Sequence, residues 1–235
     1  MKKSLPWFSI HRNAFKLLGC AMVIALLTTA SSDAQKTIKP KLDKLAQAKG
    51  WKVVNRSVSR LKDGDKKGVR FDFQPTTHGV AWLENFEFAD GTIEFDVRGK
   101  DELFRSFVGI GFHGVDENTY DAIYFRPFNF KHEDPARRLR AVQYISHPEF
   151  TWRKLREESP GKYEKPVQPP PDPTGWFHAR IVVVYPKISV FVNDASEPSL
   201  VVEQLNKRKK GWVGFYVADN SGGDFANLKI TPAAK

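Results

Sequence analysis

Residues 106–130 constrain the fold more than any other part of this sequence. Within them, two runs of residues alternate between apolar and other side chains, on either side of a polar turn at 115–120. Alternation with a period of two is typical of strands, so the stretch predicts an antiparallel pair. One face of that pair is uniformly large and apolar, as the buried side of a sheet requires; it carries Val108, Ile110, Phe112, Ile123 and Phe125.

The opposite face of the same pair combines glycine with polar residues, namely Gly109, Gly111, His113, Tyr124 and Arg126. Glycine within a strand gives up packing, and it often marks a place where a ligand or another backbone approaches closely. We therefore predict that this face is the floor of a shallow cleft. A bend in a curved sheet with an ordinary polar outer face would produce the same pattern, because glycine also marks bulges and corners.

Short alternating segments continue along most of the chain after Trp51, separated by turn signals such as Asp90-Gly91. About a dozen such strands and little helix predict an all-β fold, an antiparallel β-sandwich or jelly roll, over residues 51–232. The rhythm breaks at 148–175, which is rich in proline and predicts a short helix only at 152–158. A connection of this length often forms a lid or a binding loop.

The N-terminus has the pattern of a signal peptide over residues 1–34. Basic residues precede an apolar run at 17–27, and small residues follow, with cleavage predicted after Ala34 or, as a second choice, after Ala30. The run is shorter than the roughly 20 residues of a membrane span. We therefore predict export to the periplasm or the cell exterior. Leu17-Leu18-Gly19-Cys20 also resembles a lipobox, so attachment of a lipid to Cys20 is the alternative. Residues 35–50 are interpreted as a tether or a frayed helix.

The composition excludes several classes of function. Cys20 is the only cysteine and lies in the leader, so the exported chain would contain no disulfide and no catalytic thiolate. The formal net charge is +10, but the basic residues are dispersed among acidic ones, so no nucleic-acid partner is predicted. No metal or cofactor is predicted. Gly222-Gly223-Asp224 is a weak Ca²⁺ candidate, because one carboxylate supplies few of the about 6 to 8 oxygens that this ion needs.

Several segments together resemble one family. They are ADGTIEFDVRGK (89–100), SFVGIGFHG (106–114), YDAIYFRPFNF (120–130), AVQYISHP (141–148), WFHARIVV (176–183) and GWVGFYVADNSGGDFANLKI (211–230). The sequence resembles the concanavalin A-like jelly roll and, within it, the LamG-like proteins of the 3-keto-disaccharide hydrolase family. The resemblance implies a sandwich fold and a carbohydrate or small glycoside as the partner.

One motif departs from the glycosidases of the same superfamily. Family 16 enzymes carry Glu-x-Asp-x-(x)-Glu on one strand, and their retaining chemistry needs two carboxyl groups about 5 Å apart. Here Glu94-Phe95-Asp96 begins the pattern, but Arg98 and Gly99 occupy the two positions where the second Glu could stand. Retaining chemistry of this type is therefore not predicted, and Glu94 and Asp96 are interpreted as a solvated strand face.

The residues expected to bind a sugar lie on several strands and in the long loop. They combine aromatic rings, which stack on the C–H faces of sugars, with groups that satisfy hydroxyls. We predict one concave surface, with Tyr124 and His113 on it and the 148–175 loop at its rim. The candidates for substrate binding are Arg126, Gln143, Trp152, Trp212 and Tyr216.

The resemblance leaves three functions open: a carbohydrate-binding protein, a 3-keto-glycoside hydrolase or lyase, and a structural protein. An enzyme of this kind needs a base beside a carbonyl group. The base candidates are His113 first, then Glu84 or Tyr124, with Arg126 polarising the developing oxyanion. A simpler account of Arg126 is a surface salt bridge with Glu84 or Asp121.

Overall fold

Strands are the predominant regular element of the structure, a computed structural model that describes residues 36–75 and 77–234. The predicted signal peptide and Cys20 lie outside the described residues. The strands are β1 (Trp51–Val54), β2 (Val58–Asp63), β3 (Lys66–Phe71), β4 (Gly79–Leu83), β5 (Gly91–Arg98), β6 (Val108–Gly114), β7 (Tyr120–Phe125), β8 (Val142–His147), β9 (Glu164–Lys165), β10 (Phe177–Val184), β11 (Lys187–Val192), β12 (Leu200–Glu203), β13 (Trp212–Val217) and β14 (Gly223–Pro232).

These strands form two seven-stranded sheets in which every pairing is antiparallel across the described residues. The front sheet has the order β1-β4-β13-β6-β7-β8-β9, and the back sheet has the order β12-β11-β10-β5-β14-β3-β2. The predicted pair at 106–130 forms β6 and β7, which lie next to each other in the middle of the front sheet. The predicted all-β sandwich is therefore confirmed.

The core lies between the sheets because alternation directs one apolar row of each sheet inward. Ile110 and Phe215 of the front sheet and Phe95 and Phe225 of the back sheet are completely buried. The rings of Phe215 and Phe225 stack with centroids 4.5 Å apart across the interface. Full burial of one such ring contributes about 1.5 to 3 kcal/mol. Phe215→Ala would leave a cavity and cost about 3 to 5 kcal/mol.

Among the described residues, four short helical segments lie outside the strands. They are α1 (Leu42–Leu45), a 3-10 helix (Pro127–Asn129), α2 (Pro135–Arg138) and α3 (Trp152–Glu158). The last confirms the helix predicted within the proline-rich loop. It begins after Thr151, whose hydroxyl accepts from the Lys154 N–H at 3.3 Å and so satisfies one free N–H of the first turn. Its single buried residue, Leu155, holds it against the domain.

Residues 36–50, interpreted from the sequence as a tether or a frayed helix, contain the short helix α1 and are attached to the back sheet. The N–H of Ile38 donates to the carbonyl of Ile230 at 2.8 Å, and the N–H of Ile230 returns the bond at 2.8 Å. Leu42 and Leu45, spaced by three residues, place both side chains on the buried side of α1. The burial of these two leucines holds the segment on the domain even though the segment is rich in lysine.

Within the described ranges, no helix is long and apolar enough to cross a membrane.

Candidate functional site

A cavity of about 700 Å³ opens on the outer face of the front sheet. We call it the front cavity. The strands β7, β8 and β13 supply its floor, and the loops around 104–107, 126–140 and 151–156 supply its walls. The lining includes Phe104, Phe107, Tyr124, Arg126, Asn129, Arg137, Arg140, His147, Trp152, Arg156, Tyr216 and Asp219.

Two tyrosines form the floor of the front cavity. The rings of Tyr124 and Tyr216 lie 5.9 Å apart, and Phe107 meets Tyr124 edge to face at 6.0 Å. Burial raises the pKa of both phenols, and that of Tyr216 well above its usual value. Both hydroxyl groups therefore stay protonated at neutral pH. Because these side chains are almost completely buried, they support the cavity more than they contact its contents.

Arg126 is fixed beneath the cavity by its neighbours. Its NH1 donates to the carbonyl of Arg140 at 2.8 Å, and its NH2 donates to the Tyr124 hydroxyl at 2.9 Å and to Gln143 Oε1. The guanidinium also stacks over the Tyr124 ring at 4.9 Å. Only 4% of Arg126 is exposed, and burial lowers its pKa. The alternative of a surface salt bridge with Glu84 or Asp121 is therefore wrong.

A buried carboxylate, Glu164, lies between three arginines in the wall. Arg156 donates to it from Nε at 2.9 Å and from NH2 at 2.6 Å. Arg126 NH1 lies 3.6 Å from the same carboxylate, and Arg140 Nε lies 3.7 Å from it. Its hydrogen bonds raise the pKa of Arg156. The two-residue strand β9 positions Glu164 opposite Gln143, and a strand this short inside a proline-rich loop gives no periodic signal.

Two aromatic side chains stand exposed at the mouth. Trp152, at the start of α3, is 42% exposed, and Phe104, in the loop between β5 and β6, is 61% exposed. Arginines lie over both rings: Arg153 and Arg156 lie 5.4 and 5.0 Å from the Trp152 ring, and Arg137 lies 5.5 Å from the Phe104 ring. These two rings, unlike the tyrosines of the floor, are exposed to solvent. The sequence predicted a binding role for Trp152 but not for Phe104.

Histidines and one acid line the end of the cavity away from the arginines. The rings of His78 and His147 lie 5.7 Å apart, and His78 stacks on Tyr216 at 6.4 Å. Burial and the neighbouring His78 lower the pKa of His147 to about 4, although Asp219 raises it slightly. His147 is therefore neutral at physiological pH. The order His78, Tyr216, Tyr124 and Arg126 runs along the floor.

Three predicted site residues lie apart from the cavity surface. Gln143 is buried beneath it, where its Oε1 accepts from Tyr124 and Arg126 and so holds both in place. Trp212 packs on Trp82 with centroids 6.0 Å apart and does not line the cavity. Glu84 is exposed in the turn that follows β4 and does not line it either.

His113 lies on the other side of the front sheet from the cavity. A β-bulge explains the difference. Four residues of β6 (111–114) lie opposite three residues of β13 (212–214), and His113 has a φ of 50°. Bulges redirect side chains in this way. The buried imidazole lies 3.0 Å from the Ala89 carbonyl and 3.7 Å from Asp121, which shares the inner face with Ile123. The prediction that His113 shares a face with Tyr124 is therefore wrong.

Trp82 fills the space above two of the glycines in β6. A Cβ atom at Gly111 would lie 2.8 Å from the Trp82 ring, and one at Gly114 would lie 3.1 Å from it. A Cβ atom at Gly109 would lie 2.6 Å from the Cα of Tyr124. Protein atoms therefore occupy the cleft that we expected above these glycines, and the cavity lies to one side of it.

A second cavity, of about 970 Å³, opens on the back sheet and contains the Glu94–Asp96 motif. Asp96 accepts from Lys66 Nζ at 2.6 Å and lies 2.8 Å from His178 Nδ1, and Lys229 Nζ lies 2.7 Å from Glu94. Asp96 is only 8% exposed, so the interpretation as a freely solvated carboxylate is wrong for it. Among the described residues, no phenylalanine, tyrosine or tryptophan lines this back cavity.

The Ca²⁺ candidate Asp224 is already paired with cations. Arg70 donates to its two carboxylate oxygens at 2.7 and 2.9 Å, and Arg98 donates to one of them at 2.7 Å. Two guanidinium groups on one carboxylate do not fit a bound cation, which would be repelled. No cluster of three or more metal-ligating His, Cys, Asp or Glu residues occurs within the described part of the chain.

The fold belongs to the galectin-like, concanavalin A-like class of jelly rolls. No protein-family model matches the sequence, and no curated protein matches it. The structure resembles a protein with a galectin-like fold from Bacillus subtilis, with 12% identity, a TM-score of 0.56 and coverage of 84% of this chain and 96% of that chain. The assignment to the LamG-like 3-keto-disaccharide hydrolase family stays a prediction.

Two further solved structures are similar. The carbohydrate-binding module CBM66 from Bacillus subtilis has 14% identity and a TM-score of 0.52, over 77% of this chain and 96% of that chain. The exoplasmic/lumenal domain of VIP36, in a form bound to Ca²⁺ and Man2, has 11% identity and a TM-score of 0.53, over 85% of this chain and 88% of that chain. At such identities the likeness establishes the fold alone.

Proposed function

We propose that this protein is an exported carbohydrate-binding protein that holds a sugar in the front cavity. The observation that carries the proposal is the pair of exposed aromatic rings at the mouth, Trp152 and Phe104, each beneath an arginine. Exposed rings stack on the apolar C–H faces of sugars, and neighbouring guanidinium groups donate to hydroxyl oxygens. A concave site with few, fixed polar groups is typical of small-ligand binding.

The rigidity of the floor supports the same proposal. Gln143 holds the Arg126 and Tyr124 side chains, and Glu164 holds Arg156. Side chains that are fixed before binding lose little conformational entropy when a ligand arrives. The fold likeness to a carbohydrate-binding module and to a Man2-bound lumenal domain is consistent with a sugar ligand.

The enzymatic alternative, a 3-keto-glycoside hydrolase or lyase, has less support in the front cavity. Of the three candidate bases, only Tyr124 lines it, and burial raises the pKa of that phenol. A phenol that stays protonated at neutral pH is a poor base. We therefore favour binding, and turnover of 3-keto-disaccharides remains an outcome for the experiment to measure.

Export rests on the leader pattern of residues 1–34. We expect the secreted protein to begin at Gln35, after cleavage behind Ala34. N-terminal sequencing of the protein recovered from outside the cytoplasm tests this. If the mature chain instead begins at Cys20 and carries a lipid, cleavage after Ala34 is wrong and the protein is anchored by that lipid.

Calorimetry after a glycan-array screen tests the binding proposal. Trp152→Ala should weaken binding of the best array ligand by about tenfold, the loss typical of an interface aromatic. Phe73→Ala is the matched control, because Phe73 is 46% exposed and does not line the cavity. If Trp152→Ala and Phe73→Ala bind the ligand with equal affinity, the sugar is bound outside the front cavity. Incubation of the wild-type protein with 3-keto-disaccharides completes the test, since turnover would favour the enzyme.

A further inference from the structure

We propose that the front cavity takes an acidic saccharide, whose carboxylate is held by Arg140 and Arg137 at the mouth. This inference rests on the proposed function and names the class of sugar. Its ligand is a uronic acid, alone or within an oligosaccharide. Four arginines line the cavity: Arg126, Arg137, Arg140 and Arg156.

The arginines outnumber the carboxylates that face them. Glu164 compensates one charge, and its two oxygens are already occupied by the hydrogen bonds from Arg156. Arg126 and Arg140 stay at 3.6 and 3.7 Å from it, beyond hydrogen-bond distance. Asp134 faces Arg137 at 3.9 Å, with half of its own side chain in solvent. Four guanidinium groups against two carboxylates leave two positive charges at this end of the cavity.

Asp219 is the remaining acid of the cavity. Its charge raises the pKa of Tyr216, of His147 and of Tyr124. Burial is the main cause that lowers the pKa of Arg126; Tyr124 and Glu164 raise it, and Arg156 and Arg140 lower it. Three arginines lie within 3.7 Å of the single Glu164 carboxylate, so this group of side chains carries a surplus positive charge that an incoming anion would relieve.

The Arg140 side chain is well positioned to bind such an anion. Its backbone carbonyl accepts from Arg126 NH1 at 2.8 Å and from Asn129 Nδ2 at 3.1 Å, which fixes the chain at this point. Its side chain is 44% exposed, so the guanidinium is available in the mouth. A planar guanidinium pairs with a carboxylate through two parallel hydrogen bonds, which gives both strength and orientation.

A buried acceptor beside Arg140 fits the hydroxyl groups of the same sugar. Asn129 is 3% exposed and lines the cavity, and no donor among the described residues reaches its Oδ1. Leaving a buried amide oxygen unpaired is unfavourable, so a donor from the ligand would be favoured there. A uronic acid supplies both groups, a carboxylate for the arginines and hydroxyl donors for Asn129.

The test measures binding of oligogalacturonate and oligoglucuronate by calorimetry, beside the same oligosaccharides after chemical reduction of their carboxyl groups. We expect the acidic forms to bind at least about tenfold more tightly than the reduced ones, and Arg140→Gln to remove most of that difference. Arg180→Gln is the matched control, because Arg180 stacks on Phe191 in the back sheet, 3.7 Å from its ring. Affinity should also fall as salt is raised.

Other outcomes separate this inference from the proposed function. Equal binding of acidic and reduced oligosaccharides that is lost in Trp152→Ala would overturn the acidic ligand and leave carbohydrate binding intact. Binding of sulfated oligosaccharides without binding of uronates would overturn the carboxylate assignment. If acidic oligosaccharides bind Arg140→Gln and Trp152→Ala as tightly as they bind the wild-type protein, both the acidic ligand and the proposed function are wrong. Both are also wrong if no glycan binds.

Discussion

The two outer faces of the sandwich use charge in opposite ways. On the back sheet, Asp96 is paired with Lys66 and His178, and Glu94 is paired with Lys229. Asp63 and Asp224 of the same sheet are likewise matched, by Arg70 and Arg98. Behind the wall of the front cavity, one buried carboxylate, Glu164, is shared by three arginines. Charges that neutralise each other stabilise the fold, whereas a surplus around a cavity remains for a ligand.

The volume of a cavity does not by itself identify the binding site in this molecule. The back cavity is the larger, at about 970 Å³ against about 700 Å³ for the front cavity. Its walls combine lysines with carboxylates that are already paired, and it has no exposed ring comparable to Trp152 or Phe104 among the described residues. Chemistry therefore favours the smaller front cavity as the sugar site.

Removal of the shared carboxylate should have the largest effect. Glu164→Ala leaves the nearly buried Arg126 and two further arginines without their counter-charge, and we expect a loss of about 3 to 5 kcal/mol in the free energy of unfolding. Urea denaturation measures it. Glu149→Ala is the control, because its pair with Lys154 is exposed and should contribute about 0 to 1 kcal/mol. Similar losses in both variants would mean that the arginines do not depend on Glu164.

Between pH 7 and pH 4, acid should destabilise the front face through His147. The folded pKa of His147 is about 4 and its ordinary value is 6.5, so between these values the unfolded chain binds a proton that the folded chain does not. Stability from this group is complete above pH 6.5 and falls as the pH drops towards 4, by at most about 3 kcal/mol. His147→Gln should flatten the profile of melting temperature between pH 4 and 7.

His178 should respond in the opposite direction. Its hydrogen bond with Asp96 raises its pKa, and Glu94 adds to the effect, so the protonated form is favoured in the folded chain. The stability that it contributes is complete below pH 6.5 and is lost as the pH rises through the folded pKa. His178→Gln should therefore lower the melting temperature more at pH 5 than at pH 8. The same slope in both histidine variants would contradict the contrast between the faces.

A moderate loss of stability, with no loss of binding, is expected on the back face. Asp96→Asn weakens charge-assisted hydrogen bonds with Lys66 and His178 and should cost about 1 to 3 kcal/mol. Affinity for any ligand of the front cavity should not change. The exposed Asp194 provides the control variant Asp194→Asn, which should alter neither property. A loss of glycan affinity in Asp96→Asn would show that the back cavity contributes to binding.

The smallest effect on stability should come from two exposed cations, one on each face. Arg140→Gln and Lys229→Gln each remove a partly exposed cation whose side chain is more than 40% exposed, and each should cost about 0 to 1 kcal/mol. The two variants should differ in calorimetry, where only Arg140→Gln weakens binding. If Lys229→Gln weakens binding equally, the proposed division between the faces is wrong.

Alternation in the sequence was sufficient for the fold. The apolar residues that alternate along β6 and β7, Ile110 and Ile123 among them, predicted the inner face of this pair. The structure buries both residues between the sheets. The helix in the proline-rich loop was also predictable, because Thr151 is a good cap and Leu155 gives it a buried side. These signals are local, and the tertiary structure did not override them.

The site was predictable only in part, for two physical reasons. A single bulged residue in β6 moved His113 to the inner face, and period-two alternation cannot detect an extra residue. Glu164 and Phe104 come from irregular segments, where the position of a side chain depends on contacts distant in sequence. Arg126 and Trp152, two of the predicted binding residues, line the front cavity; one directly follows a strand and the other begins a helix.

The junction between the two ends of the described chain bears on how the protein can be handled. Ile38 bridges to Ile230 of β14, and the hydroxyl groups of Thr37 and Thr231 lie 3.0 Å apart. Both ends therefore leave the domain together, from the back sheet, while the cavity opens on the front sheet. A biotin or a fluorescent fusion at either end should leave the front cavity open, so the protein can be immobilised on a sensor surface through its terminus with the binding face towards the solution.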